Sequence, residues 1–161
     1  MIEDITNEVL SRIRDVRTMY HRLVLLVGPP GSGKTRILQE IGEQTGAPRI
    51  NVGLELSERL LDLSKEERQL NVAFYFEDIV SGHCREMESQ MVLLDNIEIL
   101  FDSSLFVNVL PLLQKVSRNT TLVVAWPGYA KDGFLGYAEP GHSEYCRWPS
   151  SGLTIVQVGM K

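Results

Sequence analysis

A glycine-rich segment near the start of the chain has the residue types and spacing of a phosphate-binding loop. It fits the pattern GxxxxGK[ST] and reads Gly28-Pro29-Pro30-Gly31-Ser32-Gly33-Lys34-Thr35. Glycines let the backbone curl so that successive N–H groups point at phosphate oxygens, and the positive end of the following helix adds to the attraction. Lys34 would reach the β- and γ-phosphates, and the Thr35 hydroxyl would ligate Mg²⁺. The nucleotide-binding residues that we predict are Gly28, Pro29, Pro30, Gly31, Ser32, Gly33, Lys34, Thr35 and Arg36.

A second segment supplies the carboxylate that such a site requires. Residues 91–95 form an apolar run that ends in Asp95, which is the form of a Walker B segment. Asp95 would lie beside the loop and hold Mg²⁺ through its water shell, together with Thr35. A strand that simply ends in a turn-forming aspartate is the alternative. The two segments together predict ATP and Mg²⁺ as cofactors, with Thr35 and Asp95 as the metal residues.

The residue that follows Asp95 leaves hydrolysis open. Many ATPases of the AAA+ and RecA-like classes place a glutamate there to polarise the attacking water, whereas this chain has Asn96. An amide can orient water but cannot accept its proton. Glu98 is the first candidate for the missing carboxylate, and Asp102 and Glu55 are others. The alternative places Glu98 in the first turn of a helix, where an acid favours the helix dipole.

Two arginines are candidates for contact with a phosphate. Arg118 precedes the predicted strand 122–126, and Arg147 lies in a long loop. Either could act in its own subunit or in a neighbour, as an arginine finger does, although a solvated arginine is the commoner case. Trp126 stands where AAA+ proteins usually have a polar sensor residue. The catalytic residues that we predict are Lys34, Asp95, Asn96, Glu98 and Arg118.

The elements that must position these residues alternate between strands and helices. Five near-continuous apolar runs predict strands covered on both faces, at 23–27, 50–52, 91–94, 122–126 and 153–156. Helical patterns separate them at 35–44, 54–63, 72–80 and 105–116. We therefore expect an α/β fold, a three-layer P-loop NTPase domain with a mainly parallel five-stranded sheet. We expect a single domain over 1–161, without the helical lid of AAA+ ATPases.

Two further segments flank this alternation. Residues 1–20 carry an apolar stripe at spacings of three and four and predict an amphipathic helix. Residues 127–152 are rich in glycine and proline but also in aromatic residues, which indicates an ordered excursion facing a ligand or a partner. Asp132-Gly133 within it predicts a tight hairpin, because this pair supplies the positive φ angles of a type I′ turn.

The composition limits the classes of function. The chain has 161 residues and a net charge of −5, which disfavours nucleic-acid binding by the chain alone, although a local basic patch is compatible with it. No apolar run approaches the roughly 20 residues that span a bilayer. The N-terminus lacks the apolar core of a secretion signal, and Cys84 and Cys146 form no CxxC pair. We expect a cytoplasmic protein with two reduced thiols.

Several segments together are similar to one known family. They are residues 24–38, 51–57, 93–102, 123–128 and 137–142, of which the Leu-Leu-Asp-Asn-Ile-Glu block and the late Tyr-Ala-Glu-Pro-Gly-His stretch are the most specific. Together they resemble the BrxF family, the small P-loop proteins of type 3 BREX bacteriophage-exclusion systems. The resemblance implies an ATP-binding component of a bacterial antiphage defence system that also contains a DNA methyltransferase, a phosphatase-like protein and a larger ATPase.

Three hypotheses for the function stay open on the sequence. The first is an ATPase or ATP-gated switch, with weak or partner-dependent hydrolysis, that associates with itself or with other defence proteins. The second is a small-molecule kinase of the P-loop type, although the 127–152 segment has only Lys131 and Arg147 to serve as a basic lid. The third is a non-catalytic scaffold that uses nucleotide for stability, which the amide of Asn96 favours.

Overall fold

Five parallel strands form the central sheet of the computed structural model, which describes residues 2–159. The helices are α1 (Ile2–Val16), α2 (Lys34–Thr45), α3 (Val52–Leu60), α4 (Lys65–Met87) and α5 (Val109–Val116), with 3₁₀ turns at Ile97–Phe101 and Ser103–Leu105. The strands are β1 (Leu23–Val27), β2 (Arg49–Asn51), β3 (Met91–Asp95), β4 (Thr121–Trp126), β5 (Tyr129–Lys131), β6 (Phe134–Tyr137), β7 (Cys146–Pro149) and β8 (Thr154–Gln157).

The order of strands in the large sheet is β2-β3-β4-β1-β8, and every neighbouring pair is parallel. β1 and β4 are buried along their whole length, because helices cover both faces. Side chains alternate between two cores, as strand geometry requires. Leu25 lies in the core under α3, α4 and α5, whereas its neighbour Leu26 lies in the core under α1 and α2. The expected α/β fold with a parallel five-stranded sheet is confirmed.

Helix lengths differ from the sequence pattern where local hydrogen bonds begin or end a helix. α4 begins at Lys65 rather than near residue 72, because Ser64 and Glu67 form a capping box in which each side chain bonds the other residue's backbone N–H. α5 begins at Val109 rather than 105, since Phe106 adopts a left-handed φ of 54° that a helix does not allow. α1 ends at Val16 rather than at residue 20, and the chain then turns to enter β1.

Residues 127–152 fold into a three-stranded antiparallel sheet with the order β5-β6-β7. Asp132 and Gly133 join β5 to β6 with φ angles of 54° and 83°, as a type I′ turn requires. Leu135 of β6 belongs to the same core as α3, α4 and α5. Trp126, at the end of β4, donates from Nε1 to the carbonyl of Gly136 at 3.0 Å. The small sheet is therefore attached at the carboxyl edge of the large one.

Candidate nucleotide-binding site

The loop of residues 28–33 leaves the carboxyl end of β1 and leads into α2. Gly33 precedes the helix with a left-handed φ of 102°, a conformation that favours glycine. Gly28 lies under the residues that follow β8, where a Cβ would be 2.4 Å from the carbonyl oxygen of Val158. Val158 N in turn donates to the carbonyl of Val27 at 2.7 Å. The glycines thus allow both the turn into the helix and the close packing of the loop against the end of β8.

Lys34 closes this loop from its other end. Its Nζ donates to the carbonyl oxygen of Gly28 and lies 3.4 Å from that of Pro29. Burial lowers the pKa of Lys34, while the negative charges of Glu98 and Asp95 act in the opposite direction. The ammonium is therefore held at the loop carbonyls and interacts electrostatically with two carboxylates.

Thr35 and Asp95 meet although they are far apart in the chain. The Thr35 hydroxyl donates to Asp95 Oδ2 at 2.8 Å, and Oδ1 accepts from Asn96 N at 3.0 Å. Asp95 is 7% exposed, and Arg49 Nη1 lies 3.6 Å from its Oδ2. A hydroxyl and a carboxylate at the open end of a phosphate-binding loop are the oxygen donors that Mg²⁺ takes together with phosphate oxygens. This pair fits Mg²⁺ bound with a nucleotide.

Asn96 and Glu98 lie at the turn that follows Asp95. Asn96 adopts a left-handed φ of 56°, and α3 packs so closely that a Cβ at Gly53 would be 3.1 Å from its carbonyl oxygen. This turn starts the 3₁₀ segment in which Glu98 is the second residue. Glu98 is exposed, forms no hydrogen bond with any residue in 2–159, and interacts electrostatically with Lys34. It is therefore the carboxylate of this turn that faces the lysine with its oxygens available.

The other two candidate carboxylates are engaged elsewhere. Glu55 of α3 holds His83 of α4 through both of its oxygens, at 2.9 and 3.0 Å. Asp102 accepts hydrogen bonds from the backbone N and the hydroxyl of Ser104, which hold the pKa of Asp102 below its usual range. Both act as structural groups, the first between two helices and the second at a 3₁₀ turn.

The structure does not bring Arg118 to the loop of its own chain. The residue precedes β4 at the amino edge of the sheet, where its carbonyl accepts from Arg22 Nη2 at 2.9 Å. The loop follows the opposite end of β1, about 16 Å away along the strand. A same-chain phosphate contact is therefore wrong, since parallel strands separate their two ends, and a contact from a neighbouring subunit stays a prediction. Arg147 lies over the ring of Phe134, 4.0 Å from its centroid.

Two residues of this region were not predicted as site residues from the sequence. Tyr137 of β6 stacks on Phe101, with ring centroids 3.8 Å apart, and burial raises its pKa, with smaller contributions from Glu144 and Glu98. Arg49 lies near Asp95 because β2 pairs with β3. Neither contact has a local signal in the sequence, because both depend on pairing between distant segments. They place a neutral phenol and a guanidinium at the margin of the site.

The comparison with protein families gives the assignment. The model of the ATPase family associated with various cellular activities (AAA) matches residues 24–126. The chain belongs to the AAA family. The match begins in β1 and ends at the last residue of β4, so it contains the loop, Asp95 and Asn96, and stops before the antiparallel sheet. A comparison with curated proteins finds no match.

Membership of the AAA family establishes a nucleotide-binding P-loop protein, since its members bind ATP and typically Mg²⁺. The match identifies neither the BrxF family nor a BREX system. Within residues 2–159, no helix is both long and apolar enough to cross a membrane. In the same range, no group of three or more His, Cys, Asp or Glu side chains is arranged to hold a metal ion.

Proposed function

We propose that this AAA protein binds ATP with Mg²⁺ and hydrolyses it slowly, with Glu98 as the group that accepts the proton of the attacking water. The observation that carries the proposal is the position of Glu98. Its carboxylate is exposed, free of hydrogen bonds within residues 2–159, and close enough to Lys34 to influence its pKa. A general base needs such an available oxygen beside the group that holds the phosphate.

The other residues have distinct roles in this proposal. Gly31 and Gly33 offer backbone N–H groups to the phosphates, and Lys34 exchanges its loop carbonyls for phosphate oxygens. Thr35 and Asp95 would hold Mg²⁺, which would supply positive charge to the phosphate groups. Asn96 orients water through its amide without taking a proton.

Slow turnover follows from the position of Arg118 and from the amide that follows Asp95. Arg118 lies at the far edge of the sheet, and the position after Asp95 holds an amide. An arginine that stabilises the transition state contributes about 10³ to 10⁵ in rate, so a site that Arg118 does not reach and in which Arg49 is engaged with Asp95 is a weak ATPase by itself. A neighbouring copy or a partner protein would supply the cation.

The test separates binding from hydrolysis. We expect Lys34→Ala to abolish ATP binding measured by calorimetry. Glu98→Gln should retain binding and lower the turnover number at least about 100-fold, the usual contribution of a general base. Glu58→Gln, an exposed glutamate of α3, is the matched control and should turn over ATP like the unaltered protein.

Turnover by Glu98→Gln at the normal rate would exclude Glu98 as the base. ATP binding by the unaltered protein without turnover, alone or with partners, would instead favour the scaffold.

We further propose that the protein is a cytoplasmic component of a BREX-type antiphage defence system, in which it associates with itself or with other defence proteins. The proposal rests on the sequence similarity of residues 93–102 and 137–142 to the BrxF family. Phage plating on bacteria that carry the whole system should show lost protection for Lys34→Ala. Unchanged protection would contradict a nucleotide-dependent role.

Light scattering with and without ATP and Mg²⁺ tests self-association.

A further inference from the structure

A second cleft, of about 650 Å³, lies at the amino edge of the large sheet, on the side of the molecule away from the nucleotide loop. It is bounded by the end of α1, the connection from α1 to β1, and the turn before β3. Arg14, Arg17 and Arg22 line it, together with the polar side chains of Ser89 and Gln90. None of the residues that line it is acidic, although the chain as a whole has a net charge of −5.

Among residues 2–159, no carboxylate neutralises the guanidinium groups of this cleft. Arg14 and Arg17 are exposed and form no ion pair with a carboxylate of residues 2–159. Arg22 is half-buried and donates to a backbone carbonyl, that of Arg118. By contrast, Arg12 of the same helix α1 pairs with Asp15 at 2.9 Å. The positive charge of the cleft is therefore available to an anion from outside.

An exposed aromatic ring lies on the connection from α1 to β1, which borders the cleft, although the ring is not part of the cleft lining. Tyr20 lies between Arg17 and Arg22 in the chain and is 70% exposed. Arg118 holds it from one side, with Nη1 2.9 Å from the tyrosine oxygen and the guanidinium carbon 5.5 Å from the ring centroid. The ring of His21 meets it edge-on at 4.8 Å. The ring is thus oriented by its neighbours while most of its surface faces solvent.

We propose that this cleft binds single-stranded nucleic acid, with Arg14, Arg17 and Arg22 contacting backbone phosphates and Tyr20 stacking against a base. Unpaired arginines along a groove and an exposed aromatic platform are the two features that such sites combine. The bases of a duplex are stacked inside the helix and are not available to stack on the Tyr20 ring. An acidic peptide would contact the arginines but has no base to stack on the ring. The cleft and the nucleotide loop lie at opposite edges of the sheet, so the two sites are independent.

The test measures fluorescence anisotropy of a labelled oligo-dT of about 20 nucleotides, without ATP, over a series of salt concentrations. We expect the double variant Arg14→Gln/Arg17→Gln to reduce the slope of log K against log salt by about 1.4, because each phosphate contact of a single strand contributes about 0.7. At 0.1 M salt this corresponds to roughly 25-fold weaker binding. Arg12→Gln is the matched control on the same helix and should bind like the unaltered protein.

Tyr20 tests whether bases take part. Tyr20→Ala should weaken oligonucleotide binding about fivefold or more, whereas Tyr20→Trp should retain it. Circular dichroism confirms that each variant is folded, and Lys34→Ala should bind the oligonucleotide normally, which separates this proposal from the proposed ATPase function.

Three results would overturn the proposal. They are absence of oligo-dT binding by the unaltered protein at low salt, equal affinity of the Arg14/Arg17 double variant, and an affinity that Tyr20→Ala leaves unchanged. An affinity that Tyr20→Ala leaves unchanged would indicate that the cleft binds a polyanion without bases. Inorganic polyphosphate would then compete for the cleft as well as an unlabelled oligonucleotide does.

Discussion

Replacing Trp126 by phenylalanine should loosen the antiparallel sheet from the nucleotide-binding domain. Trp126 is fully buried, and its Nε1 donates to the carbonyl of Gly136 in β6. Its ring meets Phe101 edge-on at 5.2 Å and Trp148 at 5.8 Å. The residue therefore contacts the 3₁₀ segment that carries Glu98 and also the small sheet, and phenylalanine retains only part of these contacts.

The expected loss of stability follows from two contributions. Phenylalanine lacks about three of the ring atoms of tryptophan, and removing them from a closely packed site costs roughly 2 kcal/mol at about 0.8 kcal/mol per buried CH₂-sized group. The hydrogen bond to Gly136 is lost as well, which costs about 1 kcal/mol. The free energy of unfolding should therefore fall by about 3 kcal/mol, and the melting temperature by roughly 6 to 12 °C for a chain of this size.

The chain offers a matched control in its second tryptophan. Trp148 is half-buried, and its Nε1 donates to Asn108 Oδ1 at 3.2 Å in an exposed position. Trp148→Phe should therefore cost about 1 kcal/mol or less, because water replaces the lost partner. Thermal melting followed by circular dichroism measures both variants. Equal melting temperatures for the two would refute the view that Trp126 anchors the sheet.

Two further predictions concern the same region. Gly128→Ala should destabilise the protein by about 2 kcal/mol or more in urea unfolding, because its Cβ would lie 1.9 Å from the carbonyl oxygen of Gly136. Gly133→Asn, at an open turn position, should cost about 1 kcal/mol or less, and equal costs would contradict the argument. Burial and the charge of Glu144 raise the pKa of the Cys146 thiol to about 11, so at pH 8 iodoacetamide should modify it about 100-fold more slowly than an ordinary thiol. Glu144→Gln should lower that pKa and speed the reaction, measured by mass spectrometry, and an unchanged rate would exclude the electrostatic contribution.

The strands and the loop could be predicted because their signals are local. Leu23–Val27 is a continuous apolar run, and a strand covered on both faces requires such a run. The loop pattern that follows it depends on eight consecutive residues, whose backbone and side chains act together. Asp132-Gly133 lies at a hairpin turn for the same reason, since left-handed φ angles are a property of the residues themselves.

Helix boundaries and the roles of individual carboxylates were less accessible to sequence reasoning. The capping box at Ser64 extends α4 by two turns before its apolar pattern begins. The sequence does not separate the candidates Glu55, Glu98 and Asp102, because only their surroundings in the structure distinguish them. Glu55 is hydrogen-bonded to His83, and Asp102 is hydrogen-bonded to Ser104. Of the three, Glu98 is the one that interacts electrostatically with Lys34.

The sequence by itself determined the fold class, the phosphate-binding loop and the aspartate that follows an apolar strand, because each depends on neighbours along the chain. Tertiary structure decided which distant groups meet. It pairs Thr35 with Asp95, separates Arg118 from the nucleotide loop, and gathers three arginines around one cleft in a chain of negative net charge. The physical reason is that strand order and register set these distances, and both result from burial of the whole sheet between two layers of helices.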